Sequence, residues 1–247
     1  MMIEIYVYVR LNSGGCQTTS RWRLKGWRCA IQADMGYSKA SKANTHARLV
    51  EAAASRFKER GVDGISLADL MKDLKLTHGG FYKHFGSREE LVKEALELAM
   101  KQSGEVMRKH GLGPDKPDLP RFVDFYLDET HRDGRADGCA VAALAGDAPR
   151  KSAGVHAQFR EHIDGNLRAL AEVLKPASPQ ESRESAILVL CALYGALMTA
   201  RAVGDSPLSR EILRTVRKRV LTFILPEKRG RGRARARTKS KNSDTAH

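Results

Sequence analysis

The chain has little cysteine, and its apolar runs are short. Its four cysteines are scattered, with no Cys-x-x-Cys pair and no histidine at zinc-finger spacing from any of them. They indicate reduced thiols in a cytoplasmic protein rather than a disulfide framework or a zinc site. No run approaches the roughly 18 apolar residues that a membrane-spanning helix requires. We therefore predict a protein without a metal, a cofactor or a membrane partner.

The sequence motifs of common enzyme classes are also missing. The chain contains no His-Glu-x-x-His, no Gly-x-Ser-x-Gly and no phosphate-binding loop. Its densest set of titratable residues lies between His131 and Asp164, but His131 and Asp133 fall on opposite sides of a predicted helix end. This spacing does not assemble a nucleophile, a base and an orienting group. The sequence therefore predicts no catalytic residues and a protein that is not an enzyme.

The chain is strongly basic, and its charge is unevenly distributed. The formal net charge is +14, and residues 226–247 contribute +6, from eight Lys and Arg against Glu227 and Asp244. A basic balance favours a polyanionic partner such as nucleic acid. The alternating Arg, Gly and Ala of residues 226–247 provide no apolar core, so we expect this tail to be disordered.

Residues 1–34 differ from the rest of the chain in composition. They have neither the long apolar segment nor the small-residue cleavage site of a signal peptide. Met35 then opens MGYSKASKANTHARLVEAAA, a short basic arm that leads into a helix. We hypothesise that translation starts at Met35, and the alternative is a genuine but poorly ordered extension. In both cases residues 1–40 are predicted to be an arm outside the folded domains.

Helical periodicity dominates the middle of the chain. The first helix is predicted from about Thr45 to Arg60 and ends at Gly61. Ser87 and Glu90 form a capping box that opens a long fourth helix. Later helices are predicted over residues 119–133, 139–148, 152–175, 184–203 and 209–225, with a loop at 175–180.

No strand pattern occurs between residues 40 and 225, so the predicted fold class is all-α. Residues 41–88 are predicted to form an N-terminal three-helix domain. Residues 89–225 are predicted to form a helical ligand-binding and dimerisation domain, followed by the basic tail 226–247.

Residues 66–85, SLADLMKDLKLTHGGFYKHF, predict two short helices separated by a tight break. Ser66 and Thr77 stand at the two N-cap positions, where a hydroxyl accepts a bond from a first-turn N–H. Phe81 and Phe85 face inward on the second helix. Two short helices at a sharp angle, the second carrying small, basic and hydroxyl groups, are typical of a helix-turn-helix that enters the major groove. The segment therefore predicts binding to double-stranded DNA.

The segment from Thr45 to Leu91 resembles the DNA-binding domain of the TetR/AcrR transcriptional regulators. RLVEAAASRFKERGVDGIS matches the first helix of the family, and THGGFYKHFGSREEL matches its recognition helix and exit. Lys75 departs from the pattern, because the family usually has a glycine at this turn, where φ is often positive. Gly80, directly after Gly79, is expected to weaken the recognition helix.

The resemblance implies which residues contact DNA. Thr77 and His78 stand where the family contacts phosphates and base edges, His84 where it contacts a phosphate, and Arg88 at the position of its exit lysine. The remaining implied contacts are Thr45, Ser66, Gly79, Gly80, Tyr82 and Lys83. For Thr45, Ser66 and Thr77 the alternative is a hydroxyl that only caps a helix. For His84 the alternative is an exposed or helix-packed histidine.

The helix predicted over residues 184–203 is apolar on nearly every side, which one small domain cannot bury. With the following helix it predicts a homodimer through a four-helix bundle. Small side chains are expected to allow close approach of the two copies at Ala186, Ala192, Gly195 and Ala196.

An apolar ligand cavity is predicted within the helical domain. Its lining is predicted to include Phe122, Phe125, Tyr126, Cys139, Leu144, His156, Phe159, Tyr194 and Met198, with ordinary core packing as the alternative for most of them. DGCAVAALAGDAPR resembles one branch of the family, some members of which sense electrophiles or oxidants through a cysteine. A helix N-terminus lowers a thiol pKa, which makes Cys139 a candidate sensor, and a small buried side chain is the alternative.

These patterns together predict a homodimeric, ligand-responsive repressor that releases a palindromic operator when an unknown small molecule binds. Two alternatives remain open at this point. One is an activator or a ligand-independent regulator, and the other is a nonspecific nucleic-acid-binding protein that acts through its basic tail.

Overall fold

The computed structural model describes residues 39–174 and 178–225. Within these ranges the chain forms ten α-helices and no strand, which confirms the all-α fold class. The helices are α1 (Lys39–Arg60), α2 (Leu67–Asp73), α3 (His78–Phe81), α4 (Arg88–Met107), α5 (Leu119–Tyr126), α6 (Glu129–Asp133), α7 (Ala140–Leu144), α8 (Ala153–Leu174), α9 (Pro179–Ala202) and α10 (Pro207–Ile224). The hypotheses about a start at Met35 and a disordered tail over 226–247 concern residues outside the described ranges.

The first helix is longer than predicted. α1 begins at Lys39 rather than near Thr45, because residues 39–44 contain good helix formers and neither proline nor glycine. Thr45 consequently lies inside the helix, where it is buried and its Oγ1 donates to the carbonyl oxygen of Ser41 at 3.0 Å. Thr45 therefore does not stand at the N-terminus of α1 as predicted, and the alternative that it caps this helix is wrong. Gly61 ends the helix as predicted, with a φ of 80°.

The single helix predicted over residues 119–133 is divided into α5 and α6. The division occurs because Asp128 accepts the backbone N–H of Thr130 at 2.8 Å and so opens a new helix. The loop predicted up to residue 180 also ends earlier than expected. Ser178 caps α9 by accepting the N–H of Glu181 at 3.2 Å, and Pro179 occupies the first helical turn.

The apolar side chains of the described residues form two cores. The first core joins α1–α4 to side chains of α7 and α8, among them Leu144, Val155 and Phe159. The second core is built from α5, α7, α8, α9 and α10 and contains Tyr126, Leu193 and Leu197. α7 contributes to both cores. The apolar packing therefore continues across the domain boundary that the sequence predicts after residue 88.

α9 is the one described helix whose length and composition would suffice to cross a membrane. The expectation that no segment is long and apolar enough to span a membrane is therefore wrong for α9. Core helices of soluble proteins pass the same test, and α9 packs against α8 and α10 with Leu193, Leu197 and Ala200 fully buried. We therefore interpret α9 as a core helix.

Candidate nucleic-acid interface

Two hydroxyl side chains open the short helices of the helix-turn-helix. Ser66 Oγ accepts the backbone N–H of Asp69 at 3.1 Å and donates to the Asp69 carboxylate at 2.6 Å. Thr77 Oγ1 accepts the backbone N–H of Gly80 at 3.2 Å. Both N-cap predictions are confirmed. The O–H proton of Ser66 is committed to Asp69, whereas Thr77 uses only its oxygen and can still donate to a phosphate.

The turn between α2 and α3 contains a lysine in a left-handed conformation. Lys75 has a φ of 57°, and among the described residues it is the only one other than glycine with a positive φ. Its backbone N–H donates to the carbonyl of Lys72 at 3.0 Å, which closes the turn after α2. A side chain in this region costs about 1–2 kcal/mol. The strain predicted from the missing glycine is confirmed.

The recognition helix is only one turn long. α3 ends at Phe81, and the chain continues as a turn in which the His84 N–H donates to the Phe81 carbonyl at 2.8 Å. Phe81 and Phe85 are buried as predicted, with ring centroids 5.3 Å apart. Gly79 and Gly80 account for the short helix, because glycine costs about 1 kcal/mol relative to alanine.

Thr77, Gly79, Tyr82 and Lys83 form an exposed strip along α3 and the turn after it, which we call the reading surface. Tyr82 is 61% exposed, and its ring packs edge-to-face against the buried ring of Phe81. The Tyr82 side chain therefore projects from the core into solvent. A Cβ atom on Gly79 would meet nothing within 4 Å, so the backbone there is open to close approach. Gly80 is half-buried, and His78 is the first residue of α3.

His84 lies at the edge of the reading surface but points partly inward. It is half-buried, and its Nδ1 atom is buried without a hydrogen-bond partner among the described residues. Burial, together with His46, Lys42 and Lys83, lowers the pKa of His84 below 6.5. The half-buried ring and its buried Nδ1 atom favour the helix-packed alternative in the free protein.

The Arg88 side chain forms hydrogen bonds within the protein. Its Nη2 donates to the carbonyl oxygens of Val62 at 2.7 Å and Ile65 at 3.0 Å, and Nη1 lies 3.7 Å from Asp63. The side chain thus holds the loop between α1 and α2. The sequence carries no local signal for this role, because the partners lie more than 20 residues away.

Only part of the predicted ligand-lining set comes together. Phe125, Tyr126 and Cys139 lie around one small internal gap, which is too narrow to admit a water molecule. Phe122 and Tyr194 pack on the Tyr126 ring, with centroid distances of 5.6 and 6.3 Å.

The other four predicted lining residues lie elsewhere, so the prediction is wrong for them. Leu144 and Phe159 belong to the first core, because α7 and α8 complete the packing of the helix-turn-helix. His156 is exposed, with Nε2 2.8 Å from the Ala148 carbonyl, and Met198 is exposed on α9.

Cys139 is a buried cap rather than an accessible thiol. It is 2% exposed, and its Sγ atom accepts the N–H of Ala142 at 3.5 Å, at the start of α7. Burial raises the pKa of the Cys139 thiol, although the nearby Tyr126 hydroxyl and backbone N–H groups act in the opposite direction. The N–H groups at the start of α7 lower this pKa as expected, but burial outweighs them, so the prediction of a lowered thiol pKa is wrong.

A larger cleft lies between α4 and α8. Its volume is about 460 Å³, and Gly104 on α4 and Gly165 on α8 both line it. On its wall the buried Asn166 donates from Nδ2 to Tyr194 Oη at 3.0 Å and contacts His162 Nε2 at 3.2 Å. The two glycines inside predicted helices were the only sequence signal for this cleft. Among the described residues, no group of three His, Cys, Asp or Glu side chains is arranged to hold a metal ion.

Comparison with known proteins gives two family matches that cover different parts of the chain. Residues 49–95 match the family model described as bacterial regulatory proteins, tetR family. Residues 118–218 match the model of the LmrA/YxaF-like transcriptional regulator C-terminal domain. YfiR of Bacillus subtilis (strain 168), an uncharacterized HTH-type transcriptional regulator, is 27% identical over 92 residues. That match covers 37% of this chain and 43% of YfiR, which is less than half of the relative.

Solved structures share the fold at low sequence identity. A TetR transcriptional regulator from Chloroflexus aurantiacus superposes with a TM-score of 0.65 at 22% identity, covering 76% of this chain and 97% of that one. The reduced form of E. coli NemR gives a TM-score of 0.59 at 19% identity, covering 72% of this chain and 95% of that one.

Proposed function

Because the chain belongs to the TetR family of DNA-binding transcriptional regulators, we propose that it is a cytoplasmic repressor that binds a palindromic operator as a homodimer. In this proposal a small molecule releases the repressor from DNA. A regulator of this family acts by binding DNA rather than by catalysis. The observation that carries the proposal is the reading surface, an exposed strip of hydroxyl, glycine, aromatic and basic groups on a capped helix over two buried phenylalanines.

The chemistry of the reading surface fits a DNA groove. Thr77 and the first N–H groups of α3 favour a phosphate, because a helix N-terminus carries partial positive charge. Lys83 adds a cation for a phosphate or a base edge, and Tyr82 adds an exposed aromatic donor. The open backbone at Gly79 allows close approach to base edges or thymine methyl groups.

An uncovered apolar face on α9 supports the homodimer. Five exposed residues lie on this face at helical spacing, and they are Ile187, Leu188, Cys191, Gly195 and Met198. A Cβ on Gly195 would meet nothing within 4 Å, so a second copy has room to approach. Ala186 and Ala196 are buried within the protomer, which corrects their predicted place at the interface. Twofold symmetry of the protein implies an operator with matching half-sites.

The cleft between α4 and α8 is the better candidate for the ligand. It offers about 460 Å³, whereas the space around Tyr126 and Cys139 is too small to admit a water molecule. Its position also suits a regulator, because α4 starts at the helix-turn-helix and lines the cleft further along. A molecule that widens the cleft would shift α4 and with it the reading surface.

The proposal is tested by selecting duplexes from a random library with the full-length protein and measuring affinity for the recovered consensus. Tyr82→Ala and Lys83→Ala should each weaken binding by about 1–3 kcal/mol per lost contact. Lys218→Ala, on the exposed surface of α10, removes the same charge as Lys83→Ala and should leave affinity unchanged. Recovery of no consensus, with a steep salt dependence, would contradict the proposal and favour a nonspecific binder.

A further inference from the structure

Side chains from outside the helix-turn-helix form hydrogen bonds and an ion pair with the loop that connects α1 to α2, residues 61–65. The backbone N–H of Val62 donates to Asp147 Oδ2 at 2.9 Å. Lys151 Nζ lies 2.6 and 2.7 Å from the two carboxylate oxygens of Asp63. Asp147 and Lys151 flank the short turn, Ala148–Arg150, that joins α7 to α8. This loop is therefore fixed to the part of the chain that also lines the second core.

Gly61 allows the Asp147 side chain to approach the loop closely. Gly61 has a φ of 80°, and a Cβ atom there would stand 3.0 Å from Asp147 Oδ2. The side chains of Asp147 and Lys151 are only 21% and 16% exposed, although their ion-pair partners Arg150 and Asp63 are 65% and 59% exposed. A charged acceptor on a backbone N–H in a partly buried position is a strong and directional contact.

The other end of α7 is held just as firmly. The N–H of Cys139 donates to His131 Nε2 at 3.1 Å, and the N–H of Ala140 donates to Ser103 Oγ at 2.9 Å. His131 belongs to α6 and Ser103 to α4. α7 therefore connects buried polar groups near the second core, at its N-terminus, with the Asp147 contact three residues beyond its C-terminus.

We infer that Asp147 is a positioning residue for DNA binding. Through Val62 it sets the orientation of α2 and α3, and it fixes the loop after α1 to the turn that joins α7 to α8. Without this contact the helix-turn-helix is held by α4 and by apolar packing against α7 and α8, which is less directional and leaves more orientations for DNA binding to restrict at a cost in affinity. The Asp147 hydrogen bond restricts them in advance. The inference rests on the DNA-binding function described above.

Two substitutions at Asp147 separate the hydrogen bond from the charge. Asp147→Asn and Asp147→Ala both remove a negative charge near a DNA-binding surface, which by itself strengthens DNA binding. Only Asp147→Ala removes the acceptor for the Val62 N–H. We expect Asp147→Ala to bind the selected consensus duplex on the order of tenfold more weakly than Asp147→Asn, which should stay near wild type. Hydrogen exchange of the Val62 amide should accelerate in the alanine variant alone.

A matched control and a second variant complete the experiment. Asp118 accepts the N–H of Arg121 at 3.0 Å and is exposed, so Asp118→Ala also removes a carboxylate acceptor from a backbone N–H and should leave affinity unchanged. Asp63→Ala loses the Lys151 contact and also removes a negative charge, so weaker binding would come from the lost contact and not from the charge. This variant provides the test if Asp147→Ala does not fold. Equal affinities of Asp147→Ala and Asp147→Asn, or an Asp63→Ala that binds no more weakly than wild type, would overturn the inference. A wild-type protein that selects no consensus would instead contradict the proposed function.

Discussion

The Nε2 atom of His131 accepts a hydrogen bond from the backbone N–H of Cys139 at a distance of 3.1 Å. Nδ1 therefore carries the ring proton and donates to the carbonyl oxygen of Tyr126 at 2.8 Å. In the neutral ring both nitrogens form hydrogen bonds. Protonation at Nε2 would break the hydrogen bond with the Cys139 N–H, which fixes the start of α7. Burial accordingly lowers the pKa of His131 from 6.5 to about 4.

The first prediction is acid destabilisation caused by His131. The unfolded chain binds a proton near pH 6.5 and the folded protein only near pH 4, so the stabilisation is complete above pH 6.5. It is lost progressively as the pH falls from 6.5 to 4, by about 3 kcal/mol at most. Urea unfolding of wild type between pH 7.5 and 4 should show this loss.

His131→Gln is the comparison that isolates the effect. Glutamine retains a donor and an acceptor but does not titrate, so its unfolding free energy should depend less steeply on pH across the same window. The difference between the two curves should flatten above pH 6.5. Parallel curves for wild type and His131→Gln would show that His131 does not carry the pH dependence.

Lys75 provides the second prediction, which concerns stability. Lys75→Gly should stabilise the protein by about 0.5–1 kcal/mol, because relief of the left-handed strain exceeds the added entropy of the unfolded chain. Lys72→Gly removes the same charge from a helical position three residues earlier and should destabilise by about 1 kcal/mol. Chemical denaturation of both variants measures the difference. A loss of stability in Lys75→Gly equal to that in Lys72→Gly would contradict the assigned φ.

Local contacts explain why the helix-turn-helix was predictable from the sequence. Ser66, Thr77 and Ser87 each cap a backbone N–H three residues later, so donor and acceptor lie within one short motif. The inward spacing of Phe81 and Phe85 is equally local. The unusual conformation of Lys75 is predictable only because the family usually has a glycine at this position. The residues of the turn do not indicate it by themselves.

Contacts between distant residues explain what the sequence did not indicate. Val62 and Asp147 are separated by 85 positions, and Asn166 and Tyr194 by 28. Nothing near Asp147 marks it as the partner of a loop in the helix-turn-helix. Leu144 and Phe159 follow the alternative of ordinary core packing, but the sequence could not tell which of the two cores they enter.

The third prediction concerns the α9 face. Gly195→Phe should fold normally, because the protomer leaves space there and phenylalanine has a higher helix propensity than glycine. It should nevertheless convert the proposed dimer to a monomer, since a large side chain would block a closely packed second copy. Sedimentation velocity measures the change. Gly165→Phe makes the same substitution at an open position in α8 and should stay dimeric, and an unchanged dimer in Gly195→Phe would exclude this face.

The last prediction concerns the reactivity of Cys139. A buried thiol with a raised pKa should be alkylated by iodoacetamide only when the protein opens locally, so its native rate at pH 8 should be on the order of a hundredfold below its rate in urea. Peptide mapping by mass spectrometry follows Cys139 separately from Cys191, which is exposed on the protomer. Treatment with a quinone should then release wild type and Cys139→Ser from the operator to the same extent. Rapid native alkylation, together with release that is lost in Cys139→Ser, would reinstate Cys139 as a sensor, because only an accessible thiolate can react at such a rate.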